Sequence, residues 1–295
     1  MDMTLRDFFE LWPLFGDATL TGTFAGMTLG VLGVHVVLRR MVFLTAAISH
    51  TASLGVVLAV FLGGSFAGLS LVLTPTVGAF LMTLATLWIV HLARKSPRDF
   101  SDAGLGAMYL LGAAGTLVIG SRVQMELHDL NAMLFGTAVA VLRPDFVSVA
   151  GLSALILLIQ AWMWRGFAAV TVDSRSAQVR GLPVRALDLV LMLSIALFIS
   201  VSTRVLGPLP TFAFSILPAI AAVRVASNMP RALWLAAIFG AIMGFGGYLA
   251  ATLMDLPVGA AQALVGLALV VVANGFAWLQ HGLRARTPSP LTPQA

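Results

Sequence analysis

His50 is the residue of this chain whose type and position are best suited to chemistry. It lies between a serine and a threonine in a long stretch that is otherwise apolar. Imidazole is a common ligand of transition metals, and an ionisable group at membrane depth is expensive enough to mark an ion pathway. From its position, His50 either lines such a pathway or is a buried structural histidine. His35 and His91 lie close to basic residues, as satisfied or interfacial histidines do.

No enzyme motif accompanies these histidines. The sequence contains no phosphate-binding Gly-x-x-x-x-Gly-Lys-[Ser/Thr] loop, no His-Glu-x-x-His helix and no Gly-x-Ser-x-Gly elbow. It also contains no cysteine, so disulfides and thiolate metal sites are excluded. We therefore expect a protein that is not an enzyme and has no intrinsic cofactor.

The distribution of charge predicts the elements that hold His50. Residues 41–93 include no Asp, Glu, Lys or Arg, and a basic pair flanks each end. A bilayer core of about 30 Å is crossed by about 20 helical residues, so this stretch crosses twice and returns to the same side. Charged residues make up only 10% of the chain, against about 25% in soluble domains. The expected fold is an all-α, polytopic transmembrane bundle.

Charge-poor segments predict nine spans, near 18–38, 42–62, 69–92, 103–121, 144–164, 187–204, 210–226, 232–253 and 257–280. Nine spans place the N-terminus outside and the C-terminus in the cytoplasm. Of the 17 Lys and Arg residues, all but four then face the cytoplasm, as the positive-inside rule requires. The four on the outer side are Arg6, Arg122, Arg143 and Arg204. The basic charge is thus explained by topology, and no nucleic-acid partner is expected.

Two segments fall outside this pattern. Residues 122–143 include an apolar run that is too short to cross, and we interpret them as a re-entrant or interfacial segment on the outer side. Residues 287–295 carry three prolines and are predicted to be a disordered tail. The remainder, 1–286, is predicted to form one transmembrane domain.

Glycines spaced four residues apart predict where helices pack closely. Gly22, Gly26 and Gly30 share one face of the first span, and Gly240 and Gly244 share a face of the eighth. Small residues at this spacing allow helix backbones to approach each other in lipid. The pattern indicates a compact bundle.

A second informative feature is the run 205–210, in which Gly207, Pro208 and Pro210 separate two apolar stretches. Proline removes a backbone donor and disrupts a helix. Such breaks occur at the substrate sites of transporters, where a cavity or protein satisfies the backbone. The run is therefore either a functional broken helix or a tight turn between two spans.

The cytoplasmic stretch 171–183 is predicted to contain a short helix. Asp173 or Ser174 can cap its N-terminus, and Gly181 and Pro183 end it. A short capped helix between spans is either a docking element for a cytoplasmic partner or a solvated interfacial helix.

Together these features resemble the membrane subunit of bacterial ABC importers for metal cations, the zinc/manganese/iron permease family. The resemblance covers nearly the whole chain and rests on five elements in the family's order. They are Arg39-Arg40-Met41, Phe43-Leu44, Ser49-His50 and Gly55; Asp129-Leu130-Asn131, Leu134-Phe135-Gly136 and Ala140-Val141; Asp173, Ala177, Gly181 and Pro183; Gly207, Leu209, Leu217-Pro218-Ala219 and Ala222; and Gly246-Gly247, Asp255, Pro257 and Gly259.

The resemblance implies a permease subunit that works as a homodimer in the lipid of the bacterial inner membrane. Its implied partners are cytoplasmic ATPase subunits, which bind ATP, and an extracytoplasmic metal-binding protein. It implies that Asp173, Ala177, Gly181 and Pro183 form the loop that couples the permease to the ATPase. It also implies that His50 is a ligand of the transported metal.

The sequence departs from the family pattern at the expected metal site. The family has Gly-Asp four to five residues before the histidine, where this chain has Thr45 and Ala46. Small polar residues of the family's broken-helix region are replaced by the run 212–214, Phe-Ala-Phe. Losing a carboxylate disfavours manganese more than zinc, which binds imidazole well. We therefore expect zinc as cargo, with manganese, iron or a chelated metal as alternatives.

Two other functions are compatible with a polytopic chain. A secondary transporter would need an ion-coupling site, and the sequence offers none that we can identify. A non-transporting scaffold or receptor would need neither site nor ATPase. Co-purification with an ATPase separates the importer subunit from both.

Overall fold

A computed structural model describes residues 5–65, 73–93, 102–122 and 141–285, and in these ranges the backbone is helical without a strand. The predicted re-entrant segment lies mostly outside the described residues, as does the predicted tail. The helices are α1 (Leu5–Glu10), α2 (Trp12–Leu38), α3 (Val42–Ser65), α4 (Pro75–Ala93), α5 (Asp102–Gly120), α6 (Arg143–Val172), α7 (Ser174–Val179), α8 (Val184–Leu206), α9 (Pro208–Val225), α10 (Met229–Met254) and α11 (Val258–Ala285).

Nine long helices lie in the described ranges, α2 to α6 and α8 to α11, and they correspond one by one to the nine predicted spans. Eight are long and apolar enough to cross a membrane, and α4 is apolar over Pro75–Val90. The prediction of an all-α polytopic bundle is confirmed. The match follows because lipid leaves the backbone no partner outside its own helix, so that charge-poor stretches of this length become helices.

Helix α6 is longer than its predicted span, which ended near residue 164. It continues past Arg165 to Val172. The Arg165 guanidinium lies over the ring of Trp164, with 5.5 Å between the guanidinium carbon and the ring centroid. A long basic side chain can leave the bilayer while its backbone stays helical. The helix therefore ends only at Asp173, where the backbone turns to an extended conformation.

Helix α2 is the centre of the bundle, and it packs against α6, α9 and, most extensively, α10. The predicted small-residue faces meet in the α2–α10 contact. Gly22 lies against Gly244, and Gly26 lies against Gly240. A Cβ atom built on Gly240 would come within 2.0 Å of the carbonyl oxygen of Gly26, so these backbones touch directly. The close approach predicted from the glycine spacing is thus present.

Helix α8 joins two groups of helices. In the first group α3 packs against α4 and α5, and in the second α2 packs against α6, α9 and α10. Helix α8 contacts α3 and α4 of the first group and α6 of the second. An ion pair holds each end of α8. Near its start Asp188 pairs with Arg39, which directly follows α2, and near its end Arg204 pairs with Asp145 of α6.

The predicted break near 205–210 is present and comprises a single residue. Gly207 separates α8 from α9, with φ 92° and ψ 163°, a conformation that is essentially restricted to glycine. Pro208 and Pro210 follow in the first turn of α9, where proline is tolerated because those amides have no intrahelical acceptor. Helix α9 then packs mainly on α2, α10 and α11 rather than on α8.

Candidate functional site

His50 lies in α3 against helix α5. Its imidazole packs edge-on against the ring of Tyr109, with centroids 4.4 Å apart. The backbone of α5 is equally close, since a Cβ on Gly112 would come within 2.5 Å of the carbonyl carbon of His50. The Nδ1 atom of His50 is buried and has no hydrogen-bond partner among the described residues. In the tautomer that carries the proton on Nε2, this nitrogen has a free lone pair and can serve as a metal ligand.

The carboxylate that the family places four residues before His50 is absent from this chain, which has Ala46 there. Ala46 lies one helical turn earlier and is only 4% exposed, so its position faces the interior of the bundle. Within the described part of the chain, no three His, Cys, Asp or Glu side chains are grouped in a way that could hold a metal ion. Imidazole and hydroxyl groups are therefore the polar groups that this part of α3 carries.

The hydroxyl groups next to His50 are bonded to backbone carbonyls. Thr45 donates to Val42 at 2.8 Å, and Ser49 donates to Thr45 at 2.8 Å. Such bonds use the proton of the hydroxyl and leave lone pairs on its oxygen. The oxygens of Thr45 and Ser49 thus keep lone pairs, and both residues are fully buried.

A group of buried hydroxyls on α8 did not figure in the sequence analysis. The side-chain oxygens of Ser200, Ser202 and Thr203 are buried without a hydrogen-bond partner among the described residues. They lie within two turns of Gly207. The sequence already indicates this group, because three hydroxyl residues fall within four positions of an apolar span. It was missed because Ser and Thr are common in membrane helices, where they can bond their own backbone.

The predicted cytoplasmic helix is α7, and its caps are as expected. The carboxylate of Asp173 accepts hydrogen bonds from the amides of Arg175 and Ser176, at 3.0 and 3.2 Å, and from the Ser176 hydroxyl. The Ser176 bonds above all hold the pKa of Asp173 below its usual value, so this cap stays charged at neutral pH.

The C-terminal end of α7 forms a Schellman motif. Gly181 has φ +78°, its amide bonds the carbonyl of Gln178 at 3.0 Å, and the amide of Leu182 bonds the carbonyl of Ala177 at 3.2 Å. Ala177 is buried, whereas Val179 is 89% exposed. Helix α7 therefore packs against the protein through the face that carries Ala177. Its other face exposes the apolar side chain of Val179.

A polar cluster connects this segment to the spans. Thr171, two residues before Asp173, lies 2.8 Å from Nδ1 of the buried His35 and accepts a 3.3 Å bond from Arg39. Arg39 also forms the ion pair with Asp188. His35 is thus part of a network that joins α2, α6 and α8. It lies in α2, whereas His50 lies in α3. The side chain of His91 is outside the described residues.

Comparisons with known proteins agree on one family. A model of the ABC 3 transport family matches residues 12–277. The manganese transport system membrane protein MntC of Halalkalibacterium halodurans is 28% identical over 260 residues, which cover 88% of this chain and 86% of that protein. The high-affinity zinc uptake system membrane protein ZnuB of Haemophilus influenzae is 27% identical over 265 residues, covering 89% and 97%.

A solved structure shares the fold. One chain of PsaBC from Streptococcus pneumoniae, determined in complex with a Fab, superposes with a TM-score of 0.83 at 24% identity. The alignment covers 96% of this chain and 100% of that chain. The arrangement of helices described above is therefore that of a known membrane protein.

Proposed function

The chain belongs to the ABC 3 transport family, and on this premise we propose that it carries zinc through the membrane as the permease subunit of an ATP-driven importer. It is a transport subunit for a metal ion and not an enzyme, because ATP is hydrolysed by a separate subunit of such importers. The assignment of zinc as the transported ion goes beyond what membership of the family gives.

The observation that favours zinc is the single imidazole at His50 without a carboxylate at position 46. Manganese prefers hard oxygen ligands such as carboxylates, whereas zinc binds imidazole readily. A weak site also suits conduction, since an ion must leave the site as well as enter it. The described donors near His50 are an imidazole and hydroxyls, which disfavours manganese.

The test is competition between the two ions. We expect reconstituted complexes of this permease with its ATPase and binding protein to accumulate radiolabelled zinc faster than manganese, and unlabelled zinc to suppress manganese uptake. Vesicles without ATP are the control. Faster uptake of manganese would contradict the zinc assignment, and uptake only of a metal–chelate complex would favour a chelated cargo.

We also propose how the subunit is placed and with what it assembles. Two copies form a homodimer in the bacterial inner membrane, with the N-terminus outside and the C-terminus in the cytoplasm. The excess of Lys and Arg in the loops assigned to the cytoplasm supports this orientation. An extracellular metal-binding protein would then deliver zinc to the outer face.

Residues 173–183 are proposed as the contact with the ATPase, through Asp173, Ala177, Gly181 and Pro183. The support is the rigid local structure of α7, with both ends capped and Val179 exposed. A second support is the cluster of Thr171, His35 and Arg39, through which a push on α7 reaches the C-terminal ends of α2 and α6 and the start of α8. A flexible loop could not transmit such a displacement.

One cysteine tests both orientation and docking. The natural chain has no cysteine, so Ser176→Cys in the exposed α7 gives a single reactive thiol. We expect no labelling of intact cells by a membrane-impermeant thiol reagent, and labelling of inverted vesicles only when the ATPase is absent. The thiol is cytoplasmic in this proposal and is covered by the bound ATPase.

Two matched variants complete the experiment. Asn131→Cys should react in intact cells, and Ser289→Cys should react in inverted vesicles whether or not the ATPase is present. Labelling of Ser176→Cys from outside would reverse the proposed orientation. Equal labelling in inverted vesicles with and without ATPase would show that α7 is a solvated helix and not a docking element.

A further inference from the structure

A cleft of about 810 Å³ lies between α3, α4 and α8, and His50 does not line it. Its walls are apolar except at one end, where the first turns of α8 contribute two charged residues. The lining includes Leu44, Leu84, Trp88, Leu189, Met192 and Arg185. A cavity of this size is within the range of about 300–1,000 Å³ typical of ligand sites.

The dimensions of the cleft match one leaflet of a bilayer. Its α8 wall runs from Arg185 to Leu193, which is about 12 Å of helix at a rise of about 1.5 Å per residue. Half of a hydrocarbon core of about 30 Å is about 15 Å. Trp88 is 63% exposed and Leu189 is 59% exposed, so the cleft opens sideways, where lipid lies around a membrane helix.

The charged end of the cleft is positive. Asp188 is engaged by Arg39, whereas Arg185 forms no ion pair with any residue that the structure describes. Arg40 is exposed and precedes Met41, which lines the cleft. The N-terminus of α8 begins after Pro183 without a side-chain cap, so its partial positive charge adds to that of Arg185.

We propose that this cleft binds one anionic phospholipid of the leaflet on the side of α7. The acyl chains lie against the α3, α4 and α8 walls, and the phosphate lies at Arg185 beside the start of α8. Basic groups at the end of an apolar groove between spans recognise anionic head groups in this way. A bound lipid would fill the gap between α4 and α8 where the two groups of helices meet.

A second copy of the chain is a less suitable occupant. In a two-fold dimer each surface patch faces its own equivalent, so the positively charged ends of two clefts would lie together. Like charges brought into a poorly hydrated interface repel each other strongly. An anionic lipid neutralises this charge instead.

The experiment measures retained lipid on the purified permease. Native mass spectrometry is recorded after incubation with dioleoyl phosphatidylglycerol or with dioleoyl phosphatidylcholine, which have the same acyl chains. We expect selective retention of phosphatidylglycerol, and about a fivefold loss of that retention in Arg185→Gln. Arg180→Gln removes an equal charge at the exposed end of α7 and should retain the lipid as the unaltered chain does.

A cysteine at the cleft distinguishes the possible occupants. Leu189→Cys carrying a photoreactive thiol label should crosslink to lipid in vesicles that contain phosphatidylglycerol. Equal retention of both lipids, or an Arg185→Gln variant that binds as the unaltered chain does, would overturn the proposal. So would efficient disulfide formation between two Leu189→Cys chains, which would assign the cleft to a second copy. None of these results depends on which metal is carried.

Discussion

Gly240→Ala is expected to prevent the permease from accumulating as folded protein. The new Cβ would lie 2.0 Å from the carbonyl oxygen of Gly26, and the atoms in the way are backbone, which no rotamer change can move. The two helices would have to separate along the largest interhelical contact of the bundle. Mutations that force such a shift belong to the exceptional class above about 4 kcal/mol.

The matched control is on the same helix. A Cβ on Gly246 would meet only a methyl group of Val265, at 3.9 Å, which is ordinary contact. Gly246→Ala should therefore fold and gain up to about 1 kcal/mol, the difference in helix propensity between the two residues. The measurement is the yield of monodisperse protein in detergent together with its unfolding temperature. A Gly240→Ala protein that unfolds at the temperature of the unaltered chain would contradict the described contact.

His50→Ala is expected to reduce zinc uptake about tenfold or more, the range seen even when the outer-shell partner of a metal ligand is removed. His50→Phe separates the two roles of this side chain. Phenylalanine can keep the edge-on contact with Tyr109, but it has no nitrogen lone pair. If His50 binds the ion, both variants lose uptake equally while they assemble with the ATPase normally. If His50 only packs, the phenylalanine variant recovers transport.

Ala46→Asp is the converse change. It places a carboxylate four residues before His50 on the same helix face, where the two side chains can share a cation. A hard oxygen ligand should move the preference towards manganese. Uptake of both labelled ions by the same reconstituted complexes measures this shift. Unchanged selectivity would show that residue 46 does not face the ion pathway.

The sequence predicted most of the local structure correctly because that structure depends on neighbours in the chain. Asp173 and Gly181 predict the two ends of α7, since its capping bonds join residues two to five positions apart. The glycines of α2 and α10 predict close helix contacts, but spacing within one helix cannot identify its partner. The structure pairs Gly22 with Gly244 and Gly26 with Gly240.

The polar interactions between distant parts of the chain could not be predicted. Arg39 was assigned to a cytoplasmic loop, and only the fold brings it to Asp188, 149 residues later. The orientation of Ser200 and its neighbours likewise depends on how α8 is rotated between α3, α4 and α6. The candidate metal site was predicted as a single histidine, and its role stays a prediction.

The connection of α8 to α9 through Gly207 alone constrains how the chain enters the membrane during synthesis. With no loop between them, the second span begins as the first ends, so we expect the two to be inserted together. Arg204 travels near the end of α8, and a guanidinium at the bilayer centre costs about 2.5–3.5 kcal/mol. Its partner Asp145 lies in the first turn of α6, which is synthesised earlier. The acceptor for this charge is therefore already in the membrane when Arg204 arrives.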